Sequence, residues 1–324
     1  MSFLTRAGDY TLTPMPAMLR LATRAPGLGD PPSMRKIYRL GDSVPDRMTD
    51  ARIRVLDVLR EMGGLSLTLK ELAEAAGVTT SVVKGLVKQN AVREEDSPRD
   101  TPFPTLDPSY AGKTLTEDQT TASASLRAAV ATQAYGTTLL KGVTGSGKTE
   151  VYLEAIAETL RAGRQALILL PEIALTEAFI ERVRRRFGAE PAEWHSEITP
   201  AERKRVWLGV ASGAAKLIVG ARSSLFLPFA DLGLIVVDEE HDGSYKQEDG
   251  ALYSARDMSV LRASLSQSVT VLASATPSLE SWANAEAGKY KRIELPERFG
   301  AAELPETRLI DLRQEKIEKG RWIA

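Results

Sequence analysis

The strongest chemistry in the chain sits in eight consecutive residues. Positions 142–149 read Gly-Val-Thr-Gly-Ser-Gly-Lys-Thr, the G-x-x-x-x-G-K-[ST] spelling of a phosphate-binding loop. Gly142, Gly145 and Gly147 let the backbone reach positive φ, so that the N–H groups of the loop, those of Val143, Thr144 and Ser146 included, can turn towards a polyphosphate. Lys148 adds a positive charge, and the Thr149 hydroxyl is a ligand for Mg²⁺. A strand expected at Thr138–Lys141 feeds the loop, and a helix expected from Glu150 to about Ala162 aims its positive end at the same phosphates. The implied ligand is a nucleoside triphosphate, ATP, with Mg²⁺.

A second acidic motif lies downstream. Leu234-Ile235-Val236-Val237 is an unbroken apolar run, as a strand buried on both faces of a parallel sheet requires, and it ends in Asp238-Glu239-Glu240-His241. A carboxylate at such a strand end holds Mg²⁺ opposite the loop hydroxyl, which points to Asp238. Glu239, one residue on, is placed to orient and deprotonate an attacking water. Lys148, Asp238 and Glu239 are therefore the expected catalytic set. The D-E-x-H spelling narrows phosphate-loop ATPases to the nucleic-acid motors of DExH type.

Bulk properties set bounds around these motifs. At 324 residues the chain has room for about two domains. With a formal charge of −1, any nucleic-acid face has to be local. The absence of cysteine excludes disulfides and Cys-ligated zinc in this chain and suits a cytoplasmic protein. No apolar run of about 18 residues and no basic-then-apolar N-terminal pattern is present, so no membrane partner is expected.

Residues 1–48 are rich in proline and poorly patterned, and read as a linker or as the tail of a further N-terminal domain. From Thr49 the texture changes. Thr49 caps a helix to about Met62, Gly63-Gly64 stops it, Thr68 caps Leu69–Ala76, and Thr79 caps a third helix through about Gln89 with Val82, Val83, Leu86 and Val87 inward. This is a helix-turn-helix order, with strand-like residues near 91–96 as a wing. The expected small domain covers 49–110, with a Pro-rich linker over Ser97–Pro108. Its third helix offers Lys84, Lys88 and Gln89 but is followed by Glu94-Glu95-Asp96. A DNA-contacting module and a packing module both stay open. Beyond Lys113, strands expected near 138–141, 166–170, 216–219, 233–237 and 270–273 alternate with helices near 117–132, 150–162, 176–187, 200–212 and 255–265. The fold class is α/β, a parallel-sheet phosphate-loop NTPase lobe over 111–295, with its ligand loops at the strand C-termini.

Other motifs fall at those strand ends. Gln119, at a helix start, could bond an adenine edge or stay solvated. Ser274-Ala275-Thr276 offers Ser274 and Thr276 hydroxyls to Asp238 and Glu239, which would couple the nucleotide to a nucleic-acid face. Thr176, Arg222 and Ser223 lie in loops suited to gripping phosphodiesters. The arginines at 182 and 184–186 scatter around their helix and read as a solvated face. Tyr245 and Tyr253 are either base-stacking side chains or anchors of the loop that holds them.

Taken together, several strings resemble the bacterial primosomal replication-restart helicases (primosomal protein N′): GVTGSGKTEVY at 142–152, LPEIALT at 170–176, WHS at 194–196, GARSSLFLPF at 220–229, DEEHDGSYKQ at 238–247, YSARD at 253–257 and SATPSL at 274–279. The resemblance covers about residues 10–320. It implies a winged-helix module and the first RecA-like lobe of a superfamily-two, 3′-to-5′ DNA helicase. It also implies fork structures and single-stranded DNA as ligands, and primosome proteins and single-strand-binding protein as partners. Of the family's N-terminal 3′-end-binding domain, only a tail around Tyr10–Arg24 is matched. The second lobe with its arginine fingers and a zinc-binding cysteine cluster would follow a linker at 296–324. The chain thus looks like a fragment, expected to bind ATP and to hydrolyse it slowly alone. The alternatives are a nucleotide- and DNA-binding module without motor action, or an ATPase joined to a winged-helix transcription regulator.

Overall fold

The computed structural model describes residues 2–30, 34–61, 67–98, 101–110 and 112–298. The chain divides into two units. The larger takes Met1–Ala22, Thr105–Glu197 and Val210–Ala324, and the smaller Thr23–Pro104 and Ile198–Gly209. The segment over 1–48, read as linker or domain tail, therefore carries regular structure. Helices α1 (Ser2–Thr11) and α2 (Met15–Ala22) belong to the larger unit. There the Phe3 ring lies 5.5 Å from that of Phe226 and 5.0 Å from the Arg262 guanidinium.

In the smaller unit, β1 (Met34–Leu40) is followed by α3 (Asp50–Glu61), α4 (Leu69–Ala75), α5 (Thr80–Lys88) and β2 (Val92–Pro98). Residues 62–66, where the first helix was expected to stop, lie outside the described residues. Thr68 forms a full capping box with Glu71, which satisfies two N-terminal donors at once. Thr79 occupies its cap position without a side-chain bond. Val55, Leu72, Val83 and Leu86 form the buried centre, with Val82 and Val87 packed at its margin. The wing strand β2 finds its antiparallel partner in β1, from Met34↔Pro98 to Leu40↔Val92. That partner comes from the segment read as linker. Its lock is Tyr38, 4% exposed, whose hydroxyl donates to Glu94 Oε2 at 2.8 Å.

The larger unit continues with α6 (Glu117–Ala131), β3 (Gly136–Gly142), α7 (Lys148–Arg161), β4 (Gln165–Leu169), α8 (Glu177–Phe187) and β5 (Ala192–Trp194). Next come α9 (Pro200–Ser212), much of which the smaller unit takes, β6 (Leu217–Gly220), β7 (Leu232–Asp238), and a short pair β8 (Lys246–Gln247) and β9 (Tyr253–Ser254). The last elements are α10 (Ala255–Ser266), β10 (Val269–Ser274), α11 (Leu279–Glu286) and β11 (Lys291–Leu295). The main sheet has the order β11-β3-β10-β7-β4-β6-β5, with every ladder parallel. Central strands β4 and β10 are buried throughout, and β7 is buried up to Asp238, as their apolar runs demand. Register matters most at the C-terminal edge. Asp238 pairs with Ala273, Ser274 with Lys141 and Val237 with Leu169, so the loops after β3, β4, β7 and β10 emerge side by side. The short β5, the edge strand β11 and helix α11 were not foreseen.

Candidate functional site

The phosphate loop is built by steric exclusion. Gly145 and Gly147 have φ of 82° and 83°, a region closed to most side chains. A Cβ on Gly147 would also meet Gln119 Nε2 at 2.4 Å, and one on Gly142 would meet Ser146 Oγ at 2.4 Å and Lys148 Cγ at 3.1 Å. Helix α7 begins at Lys148, two residues earlier than expected, so the loop amides run directly into a helix N-terminus. Lys148 is 8% exposed, and its ammonium donates to the carbonyls of Gly142 at 2.9 Å and Val143 at 3.5 Å. The Ser146 hydroxyl is buried with no protein partner. A cradle that a Cβ would fill, an orphaned buried hydroxyl and a confined ammonium fit the polyphosphate of ATP. Val143 and Thr144 line the exposed side of the loop.

Gln119 departs from the adenine-edge expectation. Its Oε1 accepts from Thr116 N at 3.0 Å, completing a capping box on α6, and its Nε2 donates to Ser146 O at 2.9 Å. At 4% exposure both ends of the amide are committed, and its role is to brace the loop. The space beside it is lined by Thr114, Leu115, Gly145 and Gly147 together with Lys113, Glu150 and Arg182. Glu150 Oε1 accepts from Lys113 Nζ at 2.7 Å and from Arg182 Nε at 3.0 Å. Burial works to raise the Glu150 carboxyl, but these two cations outweigh it and hold it below the usual range. The remaining arginines of α8 are paired too: Arg184 and Arg185 with Glu181, Arg186 with Glu154.

Across the loop, Tyr152 adjoins the two candidate Mg²⁺ ligands. Its buried hydroxyl donates to Asp238 Oδ2 at 2.8 Å, and the Thr149 side chain is near enough to oppose the upward push that burial and the Asp238 charge give its pKa. Burial pushes the Asp238 carboxyl above its ordinary range, while the Tyr152 hydroxyl and the Lys148 charge pull the other way. Sequence reasoning missed Tyr152, which reads as one more apolar position of α7. Glu239 has φ of +46°, a left-handed conformation that costs a non-glycine residue about 1–2 kcal/mol. Its N–H donates to Asp238 Oδ1 at 3.1 Å. Strain held at such a position is typical of working sites.

The Ser-Ala-Thr segment couples to this loop by a different partner from the one expected. Ser274 Oγ is 2.8 Å from His241 Nδ1 rather than bonded to Asp238 or Glu239, and it also accepts from Thr276 N at 3.0 Å. Both tyrosines resolve to the anchoring reading. Tyr245 is 2% exposed, and its hydroxyl lies 2.9 Å from Leu169 O and 2.6 Å from Asp238 O, tying the ends of β4 and β7 together. Tyr253 is 7% exposed and packs edge-on against Phe226 with centroids 5.0 Å apart. Neither ring is presented to a base. Arg222 Nη1 donates to the carbonyls of Ser244 and Lys246, both at 2.8 Å, so it binds two strand-end loops together. Ser223 is half-buried beside it, while Thr176, at the start of α8, and Thr276 are exposed.

A phosphate cradle after β3, a carboxylate at the end of the buried strand β7 and a hydroxyl at the end of β10, the strand between them, define the nucleotide lobe of a helicase. Residues 117–285 match the DEAD/DEAH box helicase family, and the chain belongs to that family, which uses ATP and Mg²⁺. More particularly, the sequence is similar to replication restart protein PriA of Rickettsia felis, with 50% identity over 187 residues, 58% of this chain and 29% of that protein. PriA of Bacillus subtilis is 36% identical over 264 residues, 80% of this chain and 32% of that protein. The chain thus spans about a third of the length of these curated relatives. The solved helicase domain of Pyrococcus furiosus Hef aligns with 55% of this chain and 37% of that one, at 21% identity and a TM-score of 0.41. Among the described residues no helix is long and apolar enough to cross a membrane.

Proposed function

We propose that this chain is the ATP-binding part of a DNA helicase that acts in replication restart, translocating 3′-to-5′ on single-stranded DNA at stalled forks. The observation that carries the reading is the Tyr152 hydroxyl, which, from the helix that Lys148 and Thr149 begin, holds Asp238 Oδ2 at 2.8 Å beside the glycine-rich loop. In this reading the loop amides of 143–148 and the Lys148 ammonium receive the β- and γ-phosphates at the positive end of α7. Thr149 and Asp238 hold Mg²⁺, which when bound neutralises charge developing on the transferred phosphoryl group. Glu239 orients the attacking water and accepts its proton. The Glu239 N–H bonded to Asp238 Oδ1 keeps the two carboxylates in separate roles. Gln119 braces the loop from behind.

DNA contact is assigned to the strand-end loops: exposed Thr176 and Thr276, and Arg222 with Ser223 as the support of their neighbour. Tyr245 and Tyr253 are left out of that set because both are buried. The protein partners that fit are those of a primosome and single-strand-binding protein, in the cytoplasm. No zinc site is proposed for these residues, since the chain has no cysteine.

The test is Mg²⁺-dependent binding of a fluorescent ATP analogue. Lys148→Ala should lose at least about tenfold in affinity, about 1.4 kcal/mol, with the smaller unit's unfolding transition unchanged. Binding at wild-type strength would sink the assignment. In the longer protein, Glu239→Gln should retain nucleotide binding and abolish DNA-stimulated hydrolysis.

A further inference from the structure

We propose that Glu240 and Arg256 are a pair of positioning residues that lock the candidate base Glu239 to the strand-end segment 274–281, so that the state of the nucleotide site is felt by the segment proposed to meet DNA. The inference rests on the reading given above and adds to it two residues that no sequence motif assigned a role.

A buried carboxylate is costly unless every oxygen is met. The Glu240 side chain has no exposed surface, and its partners all come from downstream elements. Oε1 accepts from Ser278 N at 2.7 Å, and Oε2 accepts from the Ser278 hydroxyl at 2.9 Å and the Ser281 hydroxyl at 2.8 Å. Arg256 Nη1 lies 3.5 Å from the same Oε2. Ser278 is also the N-cap of α11, accepting from Ser281 N, so the Glu240 charge faces a helix N-terminus that favours it. The Glu240 N–H donates to Ala273 O of β10 at 3.0 Å.

Arg256 completes the junction. Nη1 donates to the Ser278 hydroxyl at 2.6 Å and lies 3.5 Å from Glu280 Oε2, while Nε donates to Asp257 at 2.9 Å. It is the second residue of α10, which directly follows β9. The partner of β9 is β8, and β8 begins at Lys246, whose carbonyl Arg222 grips. The pair therefore joins the loops after β6, β7 and β10.

Glu239 stands between two fixed points. On one side Asp238 is held by Tyr152 and Tyr245, and on the other Glu240 is held by residues 273–281. A left-handed glutamate persists only where its surroundings over-determine it. A shift of Glu239 as nucleotide binds or leaves must consequently move the Ser278 turn, and displacement of that turn by DNA must move Glu239.

The experiment measures coupling in the 1–324 chain. A fluorescent ATP analogue is titrated with Mg²⁺, and a labelled oligo(dT) is titrated with and without a non-hydrolysable ATP analogue. The wild type should change its oligo(dT) affinity by at least about fivefold when nucleotide is bound, the lower end of common couplings. Glu240→Gln, which keeps the side-chain shape, and Arg256→Ala should bind the ATP analogue within about twofold of wild type. Their nucleotide-dependent change should fall below about twofold, with Arg256→Lys recovering part of it. Hydrogen exchange over 274–281 gives an independent reading: nucleotide should protect it in wild type and in neither variant. If Arg256→Ala unfolds, Glu240→Gln alone carries the test. Full coupling in folded variants overturns the proposal. Equal loss of nucleotide affinity overturns it too, because it places the pair in binding itself. A wild type that binds no nucleotide overturns the function proposed above and this inference with it. A wild type that binds both ligands without coupling overturns this inference alone.

Discussion

Replacing Tyr245 by phenylalanine removes one oxygen and keeps the ring, which makes it a sharp probe of why the residue is there. The phenol is 2% exposed and lies within 2.9 Å of Leu169 O and 2.6 Å of Asp238 O. Burial, reinforced by the Asp238 charge, holds it protonated far above its ordinary range, so it is always a donor. Its loss removes a hydrogen bond of about 0.5–1.5 kcal/mol and leaves buried carbonyl groups short of a partner, each at about 1–3 kcal/mol. The strand ends relax in part, so the expected cost is about 1–3 kcal/mol. For a unit of this size that lowers the melting temperature by roughly 2–12 °C. Differential scanning calorimetry reads the shift, and fluorescence anisotropy with oligo(dT) reads DNA binding below the transition. Tyr245→Phe should melt early and bind single strands as wild type does. A base-stacking tyrosine would behave in the opposite way. Phenylalanine would preserve stability and stacking, while Tyr245→Ala would cost about 1–3 kcal/mol of DNA affinity. That second pattern, measured on folded protein, would refute the anchoring argument.

Three further outcomes follow from particular contacts. Gly147→Ala places a Cβ 2.4 Å from Gln119 Nε2 at a φ of 83°, and should eliminate ATP-analogue binding in a protein that still folds; retained binding would contradict the cradle. Tyr152→Phe frees Asp238 Oδ2 and should weaken Mg²⁺-dependent analogue binding about tenfold, near 1.4 kcal/mol, with little effect on Mg²⁺-free binding; equal loss in both would argue against a metal-positioning role. Thr68→Ala breaks the capping box and should destabilise the smaller unit by about 1 kcal/mol. Its partner Glu71 is held below its ordinary range, first by the Thr68 N–H and then by the Thr68 hydroxyl. Only the hydroxyl's share of that charge stabilisation is lost in the variant. It is present above the unfolded carboxyl's pKa and disappears as pH falls through the folded one. The gap between the two melting temperatures should therefore narrow in acid without closing, the Glu71 N–H bond to the Thr68 hydroxyl being independent of pH.

What the sequence made legible is what the backbone encodes locally. The phosphate loop is written in three glycines within six residues because positive φ and close approach are demanded at fixed offsets, and Asp238 ends its strand because the strand's burial on both faces forces an apolar run that must end at the ligand edge. Helix starts were equally local, at Thr68 and at Glu117. Gln119 carried a local signal as well: Thr116-x-x-Gln119 is a capping box, and reading it as one predicts the bond from Thr116 N to Gln119 Oε1. The partners of Tyr152, Tyr38 and Glu240 are of another kind. They lie 86, 56 and 38 residues away, and no spacing rule reaches that far. Tyr38 looked like part of a linker because its strand, with Lys36 and Arg39 on either side of the buried Ile37-Tyr38 pair, has no alternation to mark it, and its register is fixed only when β2 is in place.

The site divides along the same line. Groups that meet phosphate are encoded in consecutive residues, since one turn of backbone must present them together. Groups that would transmit the consequence, Tyr152 to Asp238, His241 to Ser274 and Glu240 to Ser278, each join two different strand ends. Such groups become visible only after the parallel register has aligned the loops after β3, β7 and β10. A motor needs both kinds of contact. Binding can be complete within one loop, whereas coupling requires that no strand-end loop move alone, and the buried, fully partnered Glu240 is where that requirement is met most strictly.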